Sequence, residues 1–202
     1  MDYTCQMPHR SGYPLLWPLQ NRRYSPSMMA DLLSLPTRSE EGAIHVVVES
    51  PRGSRVKIKY EPSLKAFKFS RPLITGVCYP YDWGFIPSTE GPDGDPVDAM
   101  VFSDVATFPG VVIECRPLGL LRWEQNKEKP KRRVRNDRLI MIPTKMPRFD
   151  AFKTPKDLPL RWRQELEDFF LATTRFEKKD PKFLGWAGQE EGERMVNRYL
   201  KE

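Results

Sequence analysis

Short β-type segments separated by Gly and Pro fill the chain between Ala43 and Ile142, and they constrain its fold more than any other feature. Their residues are β-branched or aromatic, or they alternate between apolar and polar, which is typical of strands in small sheets. So many short strands at close spacing predict a closed antiparallel β-barrel. The predicted strands are Ile44–Glu49, Arg55–Glu61, Ala66–Phe69, Gly84–Ile86, Val97–Phe102, Val111–Arg116, Leu118–Trp123 and Leu139–Ile142.

The last third of the chain is predicted to be helical. Apolar side chains recur at helical spacing after Asp157, the expected N-cap, and they are Leu158, Trp162, Leu166, Phe169, Phe170 and Thr173. A second helix is expected over about Gln189–Leu200, with Met195, Val196, Tyr199 and Leu200 on its apolar side. A barrel with C-terminal helices packed against it belongs to the α+β class.

The N-terminal segment lacks any regular pattern. Prolines interrupt residues 1–40 at positions 8, 14, 18, 26 and 36. We expect an irregular extension with a helical turn near Ser27–Leu35, followed by a single domain over residues 41–202. The apolar content of 39%, with 11% aromatic residues, suffices for one core in a chain of 202 residues.

Composition also limits the compartment. No apolar run approaches the roughly eighteen residues of a membrane span, and the N-terminus lacks the apolar core of a signal peptide. Cys5, Cys78 and Cys115 are odd in number and unclustered, which disfavours a disulfide framework and a zinc site. We expect a cytoplasmic protein without a membrane partner.

Three carboxylates occur in the turn between two predicted strands, at Asp93, Asp95 and Asp98. Closely packed carboxylates repel one another and are costly to desolvate, so such a turn either lies in open water or holds a hard cation. With oxygen ligands only, Mg²⁺, Mn²⁺ or Ca²⁺ is favoured over zinc. An EF-hand is excluded because Asp98 stands where that loop requires Gly.

A basic run lies between Lys127 and Arg138, with Lys129, Lys131, Arg132, Arg133 and Arg135 between them. A nucleic-acid patch would use such charges against phosphates, but this run lacks interleaved aromatic residues for base stacking. Nucleic acid is therefore a disfavoured partner. A solvated hairpin loop is the preferred interpretation, with some of its cations directed toward an anionic substrate.

The predicted strand Arg55–Glu61 has one apolar and one charged face. Val56, Ile58 and Tyr60 point one way, and Lys57, Lys59 and Glu61 point the other. Taken alone, the charged face is either a surface ion pair of little energetic value or part of a site.

Several segments, taken in order, resemble the soluble family I inorganic pyrophosphatases. The acidic turn matches the signature of that family, and the resemblance extends over about residues 43–200. The other matching segments are Val46–Pro51, Lys59–Glu61, Tyr79–Ile86, Val112–Leu121, Leu139–Pro143, Asp157–Pro159 and Gly185–Trp186, the last two of which fit the helical regions.

The resemblance implies a five-stranded, OB-like barrel with flanking helices and a homo-oligomer, since bacterial members are often hexamers. It also implies Mg²⁺-dependent hydrolysis of pyrophosphate to two orthophosphates, with Mn²⁺ as a possible substitute. In such a reaction metals activate a water molecule and neutralise the phosphate oxygens, while basic side chains hold the phosphoryl groups.

The resemblance assigns a role to each matching residue. Asp95 would be the general base beside the attacking water. The substrate would be held by Lys59, Arg71, Tyr79 and Arg138, where Tyr79 donates a phenolic hydrogen bond and Arg138 replaces a lysine. The expected metal ligands, direct or through water, are Asp93, Asp98, Glu49, Glu61 and Asp137.

The chain also departs from the family. Gln125 stands at a position of an aspartate, and the next aspartate falls at Asn136 or Asp137. Trp83 replaces a tyrosine. Thr173 and Thr174 replace a phosphate-binding Tyr-Lys pair, and Arg175 or a cationic residue of the basic run would bind the phosphate in its place. These departures keep two alternatives open: hydrolysis of another phosphoanhydride, or a non-catalytic protein that binds metal or polyanions.

Overall fold

The computed structural model describes residues 31–127 and 132–201. Most of the predicted N-terminal extension, including Cys5, lies outside the described residues. The same holds for Lys129 and Lys131 of the basic run. Residues 31–40 are described, and they pack on the domain through Leu32, Leu33 and Leu35 beside a buried cluster. The expected helical turn is a short 3-10 helix at Leu32–Ser34. A domain boundary at residue 40 stays a prediction.

The described residues contain nine strands and two α-helices. In chain order these are β1 (Ile44–Ser50), β2 (Val56–Glu61), β3 (Ala66–Pro72), β4 (Asp82–Phe85), β5 (Asp98–Val101), β6 (Val112–Lys127), β7 (Arg132–Arg135), β8 (Arg138–Pro143), α1 (Leu160–Thr174), β9 (Lys182–Gly188) and α2 (Gln189–Arg198).

Five strands form a ring, which confirms the predicted OB-like barrel. The order is β1, β4, β5, β8 and β6, and β6 pairs back to β1 through residues 44–47. Four of the five pairings are antiparallel as predicted, whereas β5 and β8 run parallel. The β2–β3 hairpin lies off the ring and contacts β1.

Side chains of the ring strands alternate between the two faces of the sheet, and each face contributes to its own hydrophobic core. On β5, Ala99 and Val101 enter one cluster, while Met100 enters the other. Because successive side chains of a strand point to opposite faces, each face needs its own cover. The first cluster packs beside Val196 of α2, and the second beside Phe170 of α1. Both helices are thus packed against the barrel, as predicted for the α+β class.

The strand β6 corrects the prediction of two strands over Val111–Arg116 and Leu118–Trp123. It is one strand, and its pairing with β8 shifts register between Pro117 and Gly119. Proline lacks the N–H that a regular ladder needs, so an irregularity lets the strand continue past it.

Two further predictions were wrong. Gly185 and Trp186 lie on β9, which pairs with β6, rather than in a helical region. Asp157 is not the N-cap of α1, whose N-cap is Pro159. The Asp157 carboxylate instead accepts the backbone N–H groups of Lys153 and Thr154 at 2.8 and 2.7 Å. It therefore closes the turn before the helix.

The basic run forms a hairpin where it is described, because β7 pairs with the end of β6. Arg133 of β7 donates to Glu124 and Asp180, each at 2.8 Å. Neither described helix is long and apolar enough to cross a membrane.

Candidate active site

Backbone geometry and a backbone hydrogen bond fix the conformation of the acidic turn. Gly94 has a φ of +90°, a conformation that favours glycine, and the Gly91 N–H donates to the Asp95 carbonyl at 2.7 Å. The Asp95 N–H faces the Asp93 carboxylate at 3.3 Å. Since Asp98 is the first residue of β5, the sheet positions this carboxylate while Asp93 and Asp95 remain on the turn.

Asp93 and Asp98 are close enough to affect one another. Burial raises the pKa of Asp93, and the negative charge of Asp98 raises it further. Both side chains line a cavity of about 400 Å³ that also contains Asn136 and Asp137. A cation in this cavity would relieve the repulsion between the two carboxylates.

Glu49 is a buried carboxylate at the end of β1. Burial raises the pKa of Glu49 to about 7, and Asp98 adds to the rise, although the Tyr60 N–H opposes it by donating at 2.7 Å. A carboxylate that is ionised only in part at neutral pH is one that gains from a nearby cation. Its connection to the acidic turn is electrostatic, through Asp98.

The charged face of β2 borders the acidic turn. Lys59 donates to the Asp95 carboxylate at 3.2 Å. Burial lowers the pKa of Lys59, but the attraction of Asp95 outweighs it, so the pKa is raised. Glu61 lines one open cavity with Lys59 and Asp95, and its carboxylate accepts the Ser63 hydroxyl at 2.8 Å.

Lys59 lines the open cavity beside Asp95, whereas the other three predicted phosphate-binding side chains gather around a different cavity. Arg71, Tyr79 and Arg138 line it together with Lys57 and Lys179. Burial raises the pKa of Tyr79 to about 12, so its phenol keeps its proton. Burial also lowers the pKa of Lys57, against the opposing influence of Asp98. Thr173 and Thr174 line the same cavity as these two lysines.

Sequence reasoning did not identify Lys57 and Lys179 as site residues. The sequence gives one indication that Lys57 belongs to the site, because it lies on the same charged strand face as Lys59. Lys179 follows α1 in an irregular segment, and no local pattern marks it. Its place at the cavity depends on contacts of that segment with distant strands, such as the Asn126 N–H of β6, which donates to the Lys179 carbonyl at 2.6 Å.

Arg138 connects the acidic and basic halves of the site. Its guanidinium donates to the Asp98 carboxylate at 2.6 Å and also contacts the Asn136 amide oxygen. The same group lies 5.5 Å from the centre of the Trp83 ring, a cation–π geometry. Trp83 thus supports Arg138 where the family has a tyrosine.

Asn136 and Asp137 have different environments. The Asp137 carboxylate is held by Arg135 at 2.8 Å and by the Trp123 N–H at 2.8 Å. Asn136 is the member of the pair that contacts Arg138, which in turn pairs with Asp98. Asp137 lines the cavity with Asp93, but its oxygens already have donors, so coordination of a metal would require it to leave Arg135.

Gln125 lies at the other position where the family has an aspartate. The side chain is only 6% exposed, and its amide oxygen accepts no hydrogen bond from the described residues. It lines a cavity of about 620 Å³ together with Asp93, Asp95 and Lys179. A buried oxygen without a donor is costly unless a cation or a water molecule satisfies it.

The donor chemistry fits a hard divalent cation. The candidate ligands are oxygen atoms only: the carboxylates of Asp93, Asp98 and Glu49 and the unsatisfied amide oxygen of Gln125. Among the described residues, no three His, Cys, Asp or Glu side chains are grouped closely enough to hold a metal ion alone. Mg²⁺ suits such a site, because it is commonly held by one or two carboxylates plus water and substrate phosphates.

The fold and the site define a class of protein: an OB-like barrel that carries carboxylates for a hard cation beside a cluster of phosphate-binding cations. The sequence profile of the family described as "Inorganic pyrophosphatase" matches residues 46–202. This chain belongs to the inorganic pyrophosphatase family.

Individual relatives agree with this assignment. The chain is similar to the inorganic pyrophosphatase of Synechocystis sp., with 38% identity over 77% of this chain and 89% of the relative. The crystal structure of inorganic pyrophosphatase from Thermus thermophilus is 37% identical, with a TM-score of 0.76 over 83% of this chain and 95% of that chain. A structure from Neisseria gonorrhoeae is 28% identical, with a TM-score of 0.70 over 78% and 88%.

Proposed function

We propose that this protein hydrolyses inorganic pyrophosphate to two orthophosphates with Mg²⁺ as its metal and Mn²⁺ as a possible substitute. The observation that carries the proposal is the contact between Asp98 and Arg138 at 2.6 Å. It brings carboxylates suited to a cation and cations suited to phosphate into one site. Family membership supports the same reaction.

Asp93, Asp98 and Glu49 would hold the metal, with Glu61 bonded to its water shell. Gln125 would add a neutral oxygen, and Asp137 would join only after it releases Arg135. When bound, Mg²⁺ neutralises phosphate oxygens and lowers the pKa of a water molecule.

Asp95 is the proposed general base. Its side chain is 63% exposed at the edge of the site, and Lys59 holds it at 3.2 Å. The carboxylate takes one proton from the attacking water as the water oxygen bonds to phosphorus, and the bond to the bridging oxygen breaks. The second phosphate departs with that oxygen.

The basic side chains bind and orient the substrate. Arg71 and Arg138 donate to phosphoryl oxygens, for which the planar guanidinium is well suited. Tyr79 donates its phenolic hydrogen, since a pKa of about 12 keeps the phenol protonated. Lys59 adds a positive charge between Asp95 and the substrate. These contacts place the reacting phosphorus beside the attacking water.

Phosphate release is the direct test. Purified full-length protein is assayed with pyrophosphate and Mg²⁺, and then with Mn²⁺. We expect turnover with Mg²⁺ and a loss of about a hundredfold or more in Asp95→Asn, the usual size of a general-base contribution. The exposed Asp150→Asn is the matched control and should retain activity. Absence of turnover with both metals would refute the proposal.

A second candidate, hydrolysis of another phosphoanhydride, is favoured by one observation. The cavity of about 620 Å³ beside Asp95 has room for a substituent larger than a phosphoryl group. A panel of polyphosphates and nucleotides, assayed beside pyrophosphate, separates the two substrates. A higher kcat/KM for a larger anhydride would select the second candidate. Binding without any turnover would select the non-catalytic alternative.

Assembly and location are also proposals. A homo-oligomer is supported by Phe108 and Val105, apolar side chains that are 75% and 57% exposed. Light scattering of the purified protein measures its mass, and a monomer at micromolar concentration would contradict this proposal. A cytoplasmic location is supported by Cys78 and Cys115, which form no disulfide among the described residues.

A further inference from the structure

A carboxylate of this chain occupies the centre of the basic cluster. Glu177, in the segment between α1 and β9, forms ion pairs with Arg71 at 2.5 Å and with Lys179 at 2.6 Å. Lys57 lines the same cavity and acts electrostatically on Glu177. The carboxylate is 24% exposed, so substrate can reach it.

The surroundings of Glu177 are those expected for a phosphoryl group. Arg71, Lys57 and Lys179 supply three cationic side chains, and Tyr79 and Arg138 complete the cavity wall. A carboxylate and a phosphoryl group are both anionic acceptors that bind the same guanidinium and ammonium donors. The remaining free space is about 40 Å³, room for only a few water molecules.

A phosphoryl group can therefore use these donors fully only if the carboxylate moves. Glu177 belongs to no helix or strand, so its side chain can turn away without breaking a backbone ladder. Arg71 would remain in place, because it also donates to the Thr173 carbonyl at 2.9 Å.

We propose that Glu177 is an internal competitor for the second phosphoryl site, and that the incoming phosphate displaces it to bind Arg71, Lys57 and Lys179. Lys57 and Lys179 then do the work of the Tyr-Lys pair that Thr173 and Thr174 lack. The proposal rests on the proposed function for the identity of the anion. It adds the residues that bind the second phosphate and a competition that sets its affinity.

Binding of imidodiphosphate, a non-hydrolysable analogue of pyrophosphate, tests the competition by calorimetry on the full chain with Mg²⁺. Glu177→Gln should bind the analogue about fivefold more tightly, as expected when a partly exposed ion pair no longer competes. The matched control is Glu165→Gln, which removes a surface ion pair with Arg161. It should leave the affinity unchanged.

Lysine variants test the binding residues. Lys57→Met and Lys179→Met should each weaken binding of the analogue by about tenfold, the loss of one charge-assisted hydrogen bond. Lys182→Met, an exposed lysine on β9, removes the same charge outside the cavity and should have no effect. Thermal melts show whether every variant is folded.

A crystal structure with imidodiphosphate completes the test. We expect the Glu177 carboxylate to have left Arg71 and Lys179, with analogue oxygens in its place. Unchanged or weaker binding in Glu177→Gln, or a complex in which Glu177 still contacts Arg71, would overturn the proposal. These outcomes do not depend on turnover, so a protein that binds the analogue but hydrolyses nothing refutes only the proposed function.

Discussion

Arg138→Met should destabilise the protein because it removes the only cation within ion-pair distance of Asp98 among the described residues. The side chains of Arg138 and Asp98 are 10% and 28% exposed, so water screens the pair only in part. Methionine retains much of the apolar contact with the Trp83 and Phe170 rings, which limits the change to charge.

The expected loss follows from these exposures. Removal of one partner of a fully buried ion pair costs about 3–5 kcal/mol. Asp98 can still reach water, so about 2 kcal/mol is expected from the unpaired charge, and the lost cation–π contact adds about 1 kcal/mol. A total of about 3 kcal/mol corresponds to a fall in Tm of about 9 °C for a domain of this size.

Urea denaturation in EDTA measures this loss without interference from metal. Asp98→Asn and the double variant complete a double-mutant cycle, and the double variant should be more stable than Arg138→Met alone, because the unpaired charge is gone. Arg161→Met, whose ion pair with Glu165 is largely exposed, should cost less than about 0.5 kcal/mol. A loss below about 1 kcal/mol in Arg138→Met, or an additive cycle, would refute the reasoning.

Two further predictions concern packing and the metal. Gly119→Ala should cost about 3 kcal/mol in urea denaturation, because a Cβ would lie 2.3 Å from the Ala187 carbonyl oxygen and 2.5 Å from Pro155. Gly188→Ala, whose Cβ meets nothing within 4 Å among the described residues, is the control, and equal losses would contradict the clash. Gln125→Glu should lower Tm in EDTA and raise the gain in Tm with Mg²⁺ by several degrees, since it adds a buried carboxylate near Asp93. An unchanged response to Mg²⁺ would place Gln125 outside the metal site.

Local pattern determined most of the secondary structure. Alternation of side chains depends on a few consecutive residues, so β1, β2, β5 and β8 were predicted close to their observed bounds. The helical spacing of apolar residues likewise predicted α1 and α2. The wrong predictions concern segments whose structure depends on residues distant in sequence. The strand β6 continues past Pro117 because β8 pairs with it on both sides of the proline. Residues 182–188 form β9 because they pair with β6.

The acidic half of the site could also be predicted from sequence, because Asp93, Asp95 and Asp98 belong to one short segment and Lys59 and Glu61 to one strand face. Within each of these two groups the separation in sequence is short, so local geometry predicts their common position, whereas tertiary structure places the strand face beside the turn, with Lys59 at 3.2 Å from Asp95. Their individual roles in metal binding and proton transfer stay predictions. The sequence shows that the turn carries carboxylates without His or Cys, and such oxygen ligands favour a hard cation over zinc.

In the basic half, Arg71, Tyr79 and Arg138 were predicted from the sequence, whereas the remaining members were decided by tertiary structure. Lys57, Lys179 and Glu177 line one cavity only because the segment after α1 lies beside strands distant in sequence, where Glu177 pairs with Arg71 of β3, and no local period encodes such a contact. The difference between Asn136 and Asp137 is also tertiary, because the Trp123 N–H of β6 donates to Asp137 while Asn136 contacts Arg138. Sequence thus determined the barrel and the carboxylates of the site. Long-range packing determined which side chains line the cavity proposed for the second phosphate, because those contacts join residues far apart in the chain.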